Sequence, residues 1–201
     1  GAFIDELASN SPAPGGGSVA ALCGSLASGL TSMVGNLTVG KEKYKDNWET
    51  MEKVFKKSEA LRAEFVKLMN DDTDSFNVFM AAMKMPKETD EQKAARKAAM
   101  AEASKTATDV PLRTLEACAG AAKLACEAAS FGNPNAASDA GSAALLADAA
   151  GKAASYNVRI NLPGVKDEVF AAECRARMAT ALEEIAAYSV KTAAKMEEAL
   201  G

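Results

Sequence analysis

Apolar residues recur every three or four positions along most of the chain, which is the spacing of helices with one apolar face. The pattern predicts helices over residues 2–9, 18–37, 48–85, 87–109, 111–130, 142–156 and 166–200. Since every strongly patterned segment is helical, the sequence predicts an all-α fold. We expect one domain over residues 1–201, built as a bundle of long helices.

Proline and a polar segment mark where several of these helices end. Pro86 ends the helix over residues 48–85, because proline lacks the backbone N–H that a helix interior requires. Pro111 either kinks a helix or starts a new one. The segment NVRINLPG breaks the next helix, and Asn157 and Asn161 bracket this break. Their amides either cap broken backbone or hold the hydrogen-bonding edge of a heterocycle.

The predicted helix over residues 18–37 carries no charge, and the uncharged run over residues 19–40 is long enough to span a bilayer. Serine, threonine, asparagine and glycine within the run lower its hydrophobicity. Small residues also recur at four-residue spacing, as in Ala20, Gly24 and Ser28, and they allow neighbouring helices to approach closely. We therefore expect a buried core helix and no membrane partner.

Composition supports the helical interpretation and limits which side chains can act as acids or bases and which partners the protein can have. The chain is 48% hydrophobic but only 5% aromatic, so helix-forming alanine, leucine and methionine dominate its apolar part. A net charge of -4 argues against a nucleic-acid partner. Histidine is absent, which leaves acid–base chemistry to Asp, Glu, Lys, Tyr or Cys. The four cysteines form no CxxC pair, so we expect buried thiols of a cytoplasmic protein, with no metal and no cofactor.

Three glycines, Gly15, Gly16 and Gly17, stand between two prolines and the core helix. Neither a Lys-Ser or Lys-Thr pair nor GxGxxG spacing accompanies them, so a Walker loop and a dinucleotide fingerprint are both excluded. Glycines expose backbone N–H groups, and Ser18 is placed to cap a helix whose N-terminal dipole favours an anion. The alternative is a tight turn that only leads the chain into a buried helix.

One carboxylate, Asp72, lies within an apolar stripe of the long helix. Phe65, Met69, Phe76 and Phe79 flank it at steps of three or four residues, so all five share one face. A buried acid is unfavourable unless it is paired or functional, and such a carboxylate has a shifted pKa. Asp72 is therefore a candidate catalytic acid or base. Alternatively, it bonds a neighbouring helix terminus or a lysine.

Three further polar residues have ordinary structural explanations. In GNPNAASDAG, Ser138 or Asp139 is placed to cap the helix that follows. Lys41 follows the core helix, where a lysine interacts favourably with the helix dipole. The residues alone leave the roles of these side chains open.

Six segments of the chain together resemble one family. In chain order they are SPAPGGGSVAAL, MVGNLTVGKEKY, DDTDSFNVFMAAMKMPK, TATDVPL, GNPNAASDAG and YNVRINLP. They are similar to the cyclodeaminase/cyclohydrolase family of folate one-carbon enzymes. The resemblance implies an all-helical homodimer that acts on a tetrahydrofolate one-carbon derivative and uses no cofactor. Since no formiminotransferase half is recognised in these residues, we expect a free-standing version.

The resemblance also implies roles for individual residues. Asp72 and Asp139 become the candidate catalytic groups, with Asp72 the stronger of the two. The implied substrate-binding residues are Gly15, Gly16, Gly17, Ser18, Lys41, Ser138, Asn157 and Asn161. Lys41 falls on a position where the family also accepts arginine. Its role is then one of charge, and we assign it to the negative glutamate tail of the substrate.

Two reactions fit this family. In cyclodeamination, N10 of 5-formiminotetrahydrofolate attacks the formimino carbon and ammonia leaves, which gives 5,10-methenyltetrahydrofolate. In the cyclohydrolase reaction, water adds to the same methenyl carbon and gives 10-formyltetrahydrofolate. A carboxylate in an apolar site suits either reaction. We expect the cyclodeaminase, with the cyclohydrolase as the alternative and a non-catalytic helical interaction module as a remote one.

Overall fold

The computed structural model describes residues 1–201 and contains helices but no strands, which confirms the predicted all-α fold. The α-helices are α1 (Ala2–Leu7), α2 (Gly16–Asn36), α3 (Trp48–Met83), α4 (Asp90–Phe131), α5 (Ala137–Asn161) and α6 (Glu168–Leu200). Short 3-10 helices lie between them at Glu42–Asn47, Pro134–Ala136 and Leu162–Gly164. Helices α2 to α5 pack around one another, and α6 packs on α4 and α5.

Small residues let these helices pack closely. Phe65 and Leu68 of α3 and Leu112 and Leu115 of α4 are fully buried, and buried alanines of α4 and α5 surround them. Phe65 lies against Gly24 of α2, where any side chain would overlap the phenyl ring. Because the distance between two helices depends on the side chains at their contact, glycine and alanine hold α2 close to its neighbours.

Helix α2 is long enough and apolar enough to cross a membrane, by length and composition alone. In the structure, 56% of the apolar 18-residue stretch of this helix is buried inside the protein. Ala20 and Ser28 are each 1% exposed, and Gly24 is buried. The small residues that were expected to face neighbouring helices therefore do so, and the prediction of a buried core helix is confirmed.

Several helix boundaries differ from the sequence predictions, among them the start of α2 and the end of α5. Helix α2 begins at Gly16 with Gly15 as its N-cap, so the prediction that Ser18 caps this helix is wrong. Ser18 is instead inside the first turn, where its side chain bonds another helix. Helix α5 extends to Asn161, and the predicted break comes only after it, at Leu162.

Helix α4 runs without interruption through Pro111, so of the two alternatives, a kink or a new helix, the new helix is wrong. A proline at position 111 cannot donate to the carbonyl of Ala107, four residues earlier. Asn161 supplies the missing donor, since its Nδ2 lies 2.6 Å from the Ala107 oxygen. The end of α5 thus donates a hydrogen bond to the Ala107 carbonyl that Pro111 leaves unpaired, and this bond joins α5 to α4.

Helices α2 and α5 run in opposite directions side by side, which gives the molecule two distinct ends. At the glycine end, the start of α2 lies beside the end of α5, since a side chain at Gly16 would contact Asn157. At the Asn133 end, Asn133 bonds to Thr38 and Leu37, just after α2. The 21 residues of α2 separate the two ends by about 30 Å.

Candidate active site

A cavity of about 470 Å³ lies at the glycine end, where α2, α3, α4 and α5 converge. Its lining residues are Pro12, Ala13, Gly15, Gly16, Gly17, Asp72, Thr73, Ser75, Phe76, Phe79, Ser104, Ala107, Asn157, Ile160, Asn161 and Gly164. Six of the ten residues predicted for the site are among them. A seventh, Ser18, lies directly behind Asp72 and is fully buried.

Asp72 is held at the N-terminus of α2. Ser18 Oγ donates to Asp72 Oδ2 at 2.8 Å. A helix N-terminus favours an anion because its first N–H groups have no partner within the helix. The anion beside the glycine segment is therefore the protein's own Asp72. The alternative that Asp72 bonds a neighbouring helix terminus is confirmed, and the same carboxylate also faces the cavity.

Gly17 makes this close approach possible. A β-carbon at position 17 would overlap the Asp72 carboxylate. At Gly16, by contrast, a β-carbon would lie 3.4 Å from Asn157 Nδ2, which is an ordinary van der Waals contact. The site therefore requires glycine at position 17 and only a small residue at position 16.

Burial raises the pKa of Asp72 above its ordinary value, and the hydrogen bonds from Ser18 offset this only in part. No cation contributes to the shift. A carboxylate that is partly desolvated and has no cationic partner takes up a proton more readily than one in water. Asp72 is thus suited to exchange a proton with a bound molecule and to stabilise a positive charge beside it.

Asn157 and Asn161 present their amides to the cavity from the last turns of α5. Asn157 Nδ2 donates to the Ala153 oxygen at 2.9 Å, and Asn161 Nδ2 donates to the Ala107 oxygen. These bonds to backbone leave each Oδ1 as an acceptor for another donor. The Asn161 amide therefore bonds a backbone carbonyl that lacks its helical partner, which is the first of the two alternatives predicted for these amides. Hydrogen bonding to a heterocycle stays a prediction for both residues.

Phe76, Phe79 and Ile160 give the cavity its apolar wall. No group of three or more His, Cys, Asp or Glu side chains is arranged to hold a metal ion. The cavity therefore combines a flat apolar surface, amide acceptors and one partly buried carboxylate. Such a site can bind a heterocycle and move a proton at one of its atoms.

Lys41, Ser138 and Asp139 lie at the Asn133 end, about 30 Å from the cavity of the same chain. Lys41 and Ser138 are exposed. The N-cap of α5 is Ala136, and no side chain bonds there, so the prediction that Ser138 or Asp139 caps this helix is wrong. One chain alone does not bring these three residues to Asp72. Their roles in substrate binding and catalysis stay predictions.

A group of cations beside the cavity was not predicted from the sequence. Lys87, Lys93, Arg96, Lys97 and Lys166 line an adjoining hollow of about 870 Å³, which we name the cationic groove. The steps of three and four residues between Lys93, Arg96 and Lys97 place these three on one face of α4, and this signal is visible in the sequence. The other two lysines come from separate segments, and only the fold adds them.

Comparison with known proteins gives a consistent result. A family model described as formiminotransferase-cyclodeaminase matches residues 1–180. The methenyltetrahydrofolate cyclohydrolase of Methylorubrum extorquens is 46% identical over 171 residues, which cover 85% of this chain and 82% of that protein. The formimidoyltransferase-cyclodeaminase of Sus scrofa is 36% identical over 182 residues, or 90% of this chain. This chain spans only 34% of the length of the Sus scrofa protein.

Among solved structures, the formiminotetrahydrofolate cyclodeaminase of Thermotoga maritima matches with a TM-score of 0.89 at 29% sequence identity. The match covers 99% of this chain and 96% of that one. The two proteins therefore share the arrangement of helices around the cavity along nearly their whole length.

Proposed function

The chain belongs to the formiminotransferase-cyclodeaminase family and is a folate one-carbon enzyme, and on that premise we propose which reaction it catalyses. We propose a methenyltetrahydrofolate cyclohydrolase, which adds water to 5,10-methenyltetrahydrofolate and yields 10-formyltetrahydrofolate. The Methylorubrum extorquens relative supports this choice, because it is 46% identical and the match covers more than four fifths of both proteins. The cyclodeaminase expected from the sequence becomes the second candidate.

The observation that carries the proposal is the partly buried Asp72 carboxylate without a cationic partner. The methenyl carbon is bonded to N5 and N10 and shares their positive charge, which a nearby carboxylate stabilises. As the water oxygen bonds to this carbon, Asp72 takes a proton from the water and releases it to solvent. When the bond between carbon and N5 then breaks, the hydroxyl proton passes to N5 and the formyl group remains on N10.

The other lining residues fit the rest of the substrate. The Oδ1 atoms of Asn157 and Asn161 are placed to accept hydrogen bonds from N–H groups of the pterin ring. The side chains of Phe76 and Phe79 offer apolar surface to its flat faces. At position 16 the cavity requires only a small residue beside Asn157.

The cyclodeaminase is favoured by a different observation, the similarity to the solved Thermotoga maritima formiminotetrahydrofolate cyclodeaminase. In that reaction Asp72 takes the N10 proton while N10 attacks the formimino carbon. The protonated carboxyl then gives a proton to the departing ammonia. Both reactions need one carboxylate beside the same carbon, so the cavity accommodates either.

A single absorbance assay distinguishes the two reactions, because the methenyl compound has a chromophore that the formimino and 10-formyl compounds lack. We expect the enzyme to accelerate the loss of methenyl absorbance in water and to leave 5-formiminotetrahydrofolate unchanged. If methenyl absorbance instead appears from 5-formiminotetrahydrofolate with release of ammonia, the enzyme is the cyclodeaminase. Inactivity on both compounds would reject both reactions and leave the non-catalytic helical module.

We further propose a homodimer in which the two chains pair through α2 and α5. The outer face of α5 includes an uncharged stripe of Ser138, Ser142, Leu145, Ala149, Ala153, Tyr156 and Ile160, and the exposed Lys152 and Arg159 border it. Within the stripe, Leu145 is 73% exposed, Tyr156 63% and Ile160 76%. The neighbouring helix α2 has no charged residue, and its Leu26 is 52% exposed. Exposed apolar surface on two adjacent helices is typical of a protein–protein interface.

A two-fold axis would explain why the predicted site residues lie at opposite ends of one chain. Ser138 and Ile160 share the outer face of α5, and each is eleven residues, or about 16 Å, from Ala149. A two-fold axis perpendicular to α5 at Ala149 places the partner subunit's Ser138 opposite Ile160, which lines the cavity. The partner subunit's Asp139 then brings a second carboxylate towards Asp72. Both chains thus build each cavity.

Co-expression of two inactive variants tests this shared site. Asp72→Asn and Asp139→Asn should each abolish most activity as homodimers. In the mixed dimer, one cavity carries both substitutions and the other carries neither. Since half of the dimers are mixed at equal expression, about a quarter of the wild-type activity should return.

The matched control pairs Asp72→Asn with Asn157→Ala, two positions that line the cavity from the same chain. Every cavity of that mixed dimer keeps one substitution, so activity should not return. Failure of the first pair to recover activity, or a monomer in analytical ultracentrifugation, contradicts the shared site.

A further inference from the structure

Thr73 lies next to Asp72 on α3, lines the same cavity and is half-buried. Its Oγ1 is 3.3 Å from Ser18 Oγ, which in turn is 2.8 Å from Asp72 Oδ2. Ser18 at the start of α2 therefore lies between two neighbouring side chains of α3. The three side chains form one hydrogen-bonded chain, and both of its ends reach the cavity.

The number of hydrogens fixes the direction of this chain. An ionised carboxylate only accepts, so the single hydroxyl hydrogen of Ser18 is donated to Asp72. Ser18 is 0% exposed, so solvent does not compete for its oxygen. The contact between Ser18 and Thr73 is then a hydrogen bond only if Thr73 is the donor. With its hydrogen engaged in this way, Thr73 Oγ1 offers only lone pairs to a molecule in the cavity.

Two other hydroxyl groups line the cavity, and neither is bonded to the Asp72 carboxylate or to Ser18. Ser75 Oγ donates to the backbone oxygen of Asp72 at 2.9 Å, and Ser104 Oγ donates to the Met100 oxygen at 2.8 Å. Both serines are only 6% exposed. Thr73 is thus the hydroxyl group that is joined to the carboxylate and still accessible from the cavity.

We propose that Thr73 Oγ1 and the Asp72 carboxylate together bind the water that attacks the methenyl carbon. This inference rests on the proposed function, since only the cyclohydrolase reaction adds water. With an angle of about 110° at Ser18 Oγ, Thr73 Oγ1 lies about 5 Å from Asp72 Oδ2. One water molecule bridges two acceptors at this separation.

A water bound in this way has both hydrogens engaged and a lone pair left for the carbon. One O–H donates to Asp72 and the other to Thr73 Oγ1. As the lone pair forms the bond to the methenyl carbon, the π electrons shared with N5 and N10 return to nitrogen and cancel the positive charge. The proton on the Asp72 side passes to the carboxylate and then to solvent.

The second hydrogen stays on the new hydroxyl group, where Thr73 holds it. That proton passes to N5 when the bond between the carbon and N5 breaks, and the formyl group remains on N10. Thr73 itself neither gains nor loses a proton. Its contribution is to orient the water, and orientation of a nucleophile lowers the barrier without changing how tightly the folate binds.

Thr73→Val tests this water site, because valine has nearly the same shape and no hydroxyl group. Its kcat on the methenyl compound should fall about ten- to hundredfold, since the water loses one of its two acceptors. Its KM should stay within about twofold. Thr73→Ser restores the oxygen and should recover most of the activity. The matched control is Thr106→Val, the same substitution at an exposed position of α4, which should retain the wild-type kcat.

Two further measurements distinguish water binding from a purely structural role. Tetrahydrofolate lacks the methenyl carbon, so its Kd from calorimetry should be the same for Thr73→Val and the wild type. Asp72 is the only titratable residue that lines the cavity, so the acid limb of kcat/KM reports its protonation. Ser18→Ala removes a donor that lowers the pKa of Asp72, and this variant should move the limb to higher pH. Thr73→Val should leave the limb in place.

These results separate the water site from the proposed function. An unchanged kcat in Thr73→Val, or an equal loss in Thr73→Ser, contradicts the water site while hydrolysis by the wild type still supports the cyclohydrolase. A limb that moves in Thr73→Val as it does in Ser18→Ala shows that Thr73 acts only through Ser18, and the water site is then wrong. If the wild type does not hydrolyse the methenyl compound, the proposed function is wrong and the water site is rejected with it.

Discussion

Asp72→Asn is expected to lower kcat by about two to four orders of magnitude, since it removes the only carboxylate that lines the cavity within one chain. Asparagine has nearly the same shape, and its Oδ1 can still accept the hydrogen bonds from Ser18. An amide, however, neither takes up a proton near neutral pH nor neutralises a cation. The kcat is measured from methenyl absorbance, with the circular dichroism spectrum as the check of folding.

The matched control is Asp74→Asn, which removes an exposed carboxylate two residues further along α3. It has the same effect on net charge and should retain kcat within about twofold. An Asp72→Asn enzyme with wild-type kcat would show that Asp72 serves only to hold the N-terminus of α2.

The pH dependence of activity should follow the state of Asp72. Because burial raises the pKa of Asp72, kcat/KM should fall on the acid side at a pH above the ordinary aspartate pKa of about 3.9. The loss has this direction because a general base is inactive once it is protonated. This acid limb should remain in Asp74→Asn and vanish from the residual activity of Asp72→Asn.

As the pH rises through the pKa of Asp72, the stability of the folded state should fall while the activity rises. A carboxyl whose pKa is raised in the folded state binds its proton more tightly there than in the unfolded chain. The native state therefore loses stability as the pH rises through that folded pKa. Asp72→Asn removes this loss, so the variant should unfold at the same or a higher temperature than the wild type at neutral pH. A fall in stability that matches the fall in activity would point to a structural role.

Gly17→Ala is expected to lower kcat by about one to two orders of magnitude, the second-largest effect. The new methyl group would overlap the Asp72 carboxylate, so either Asp72 turns away or the start of α2 shifts. A displacement of about 1 Å at a catalytic group costs on the order of a hundredfold in rate. The kcat is measured in the methenyl assay, together with the thermal unfolding temperature.

Gly16→Ala is the matched control, because its methyl group meets Asn157 only at van der Waals distance. Both substitutions lie in the first turn of α2 and change its helix propensity alike. Gly16→Ala should therefore retain most of the activity. If the two variants lose activity equally, the effect comes from the helix start and not from the contact with Asp72.

The amino-acid sequence by itself determined the helices and most of one site. Hydrophobic spacing of three and four residues is a local property, so it located the long helices and placed Asp72 in an apolar stripe. The uncharged, small-residue segment was recognisable as a core helix because its composition suits close packing. The glycine segment and Asn157 also belonged to the predicted site, and both line the cavity with Asp72.

Only the tertiary structure decided which groups meet. Ser18 and Asp72 are 54 residues apart in the chain, and so are Ala107 and Asn161. The second pair allows α4 to continue through Pro111, which local rules treat as a helix end. Local spacing fixes the face on which a residue lies but not which helices pack together or in which direction. The antiparallel packing of α2 and α5 therefore set Lys41, Ser138 and Asp139 about 30 Å from Asp72, which no pattern along the chain could reveal.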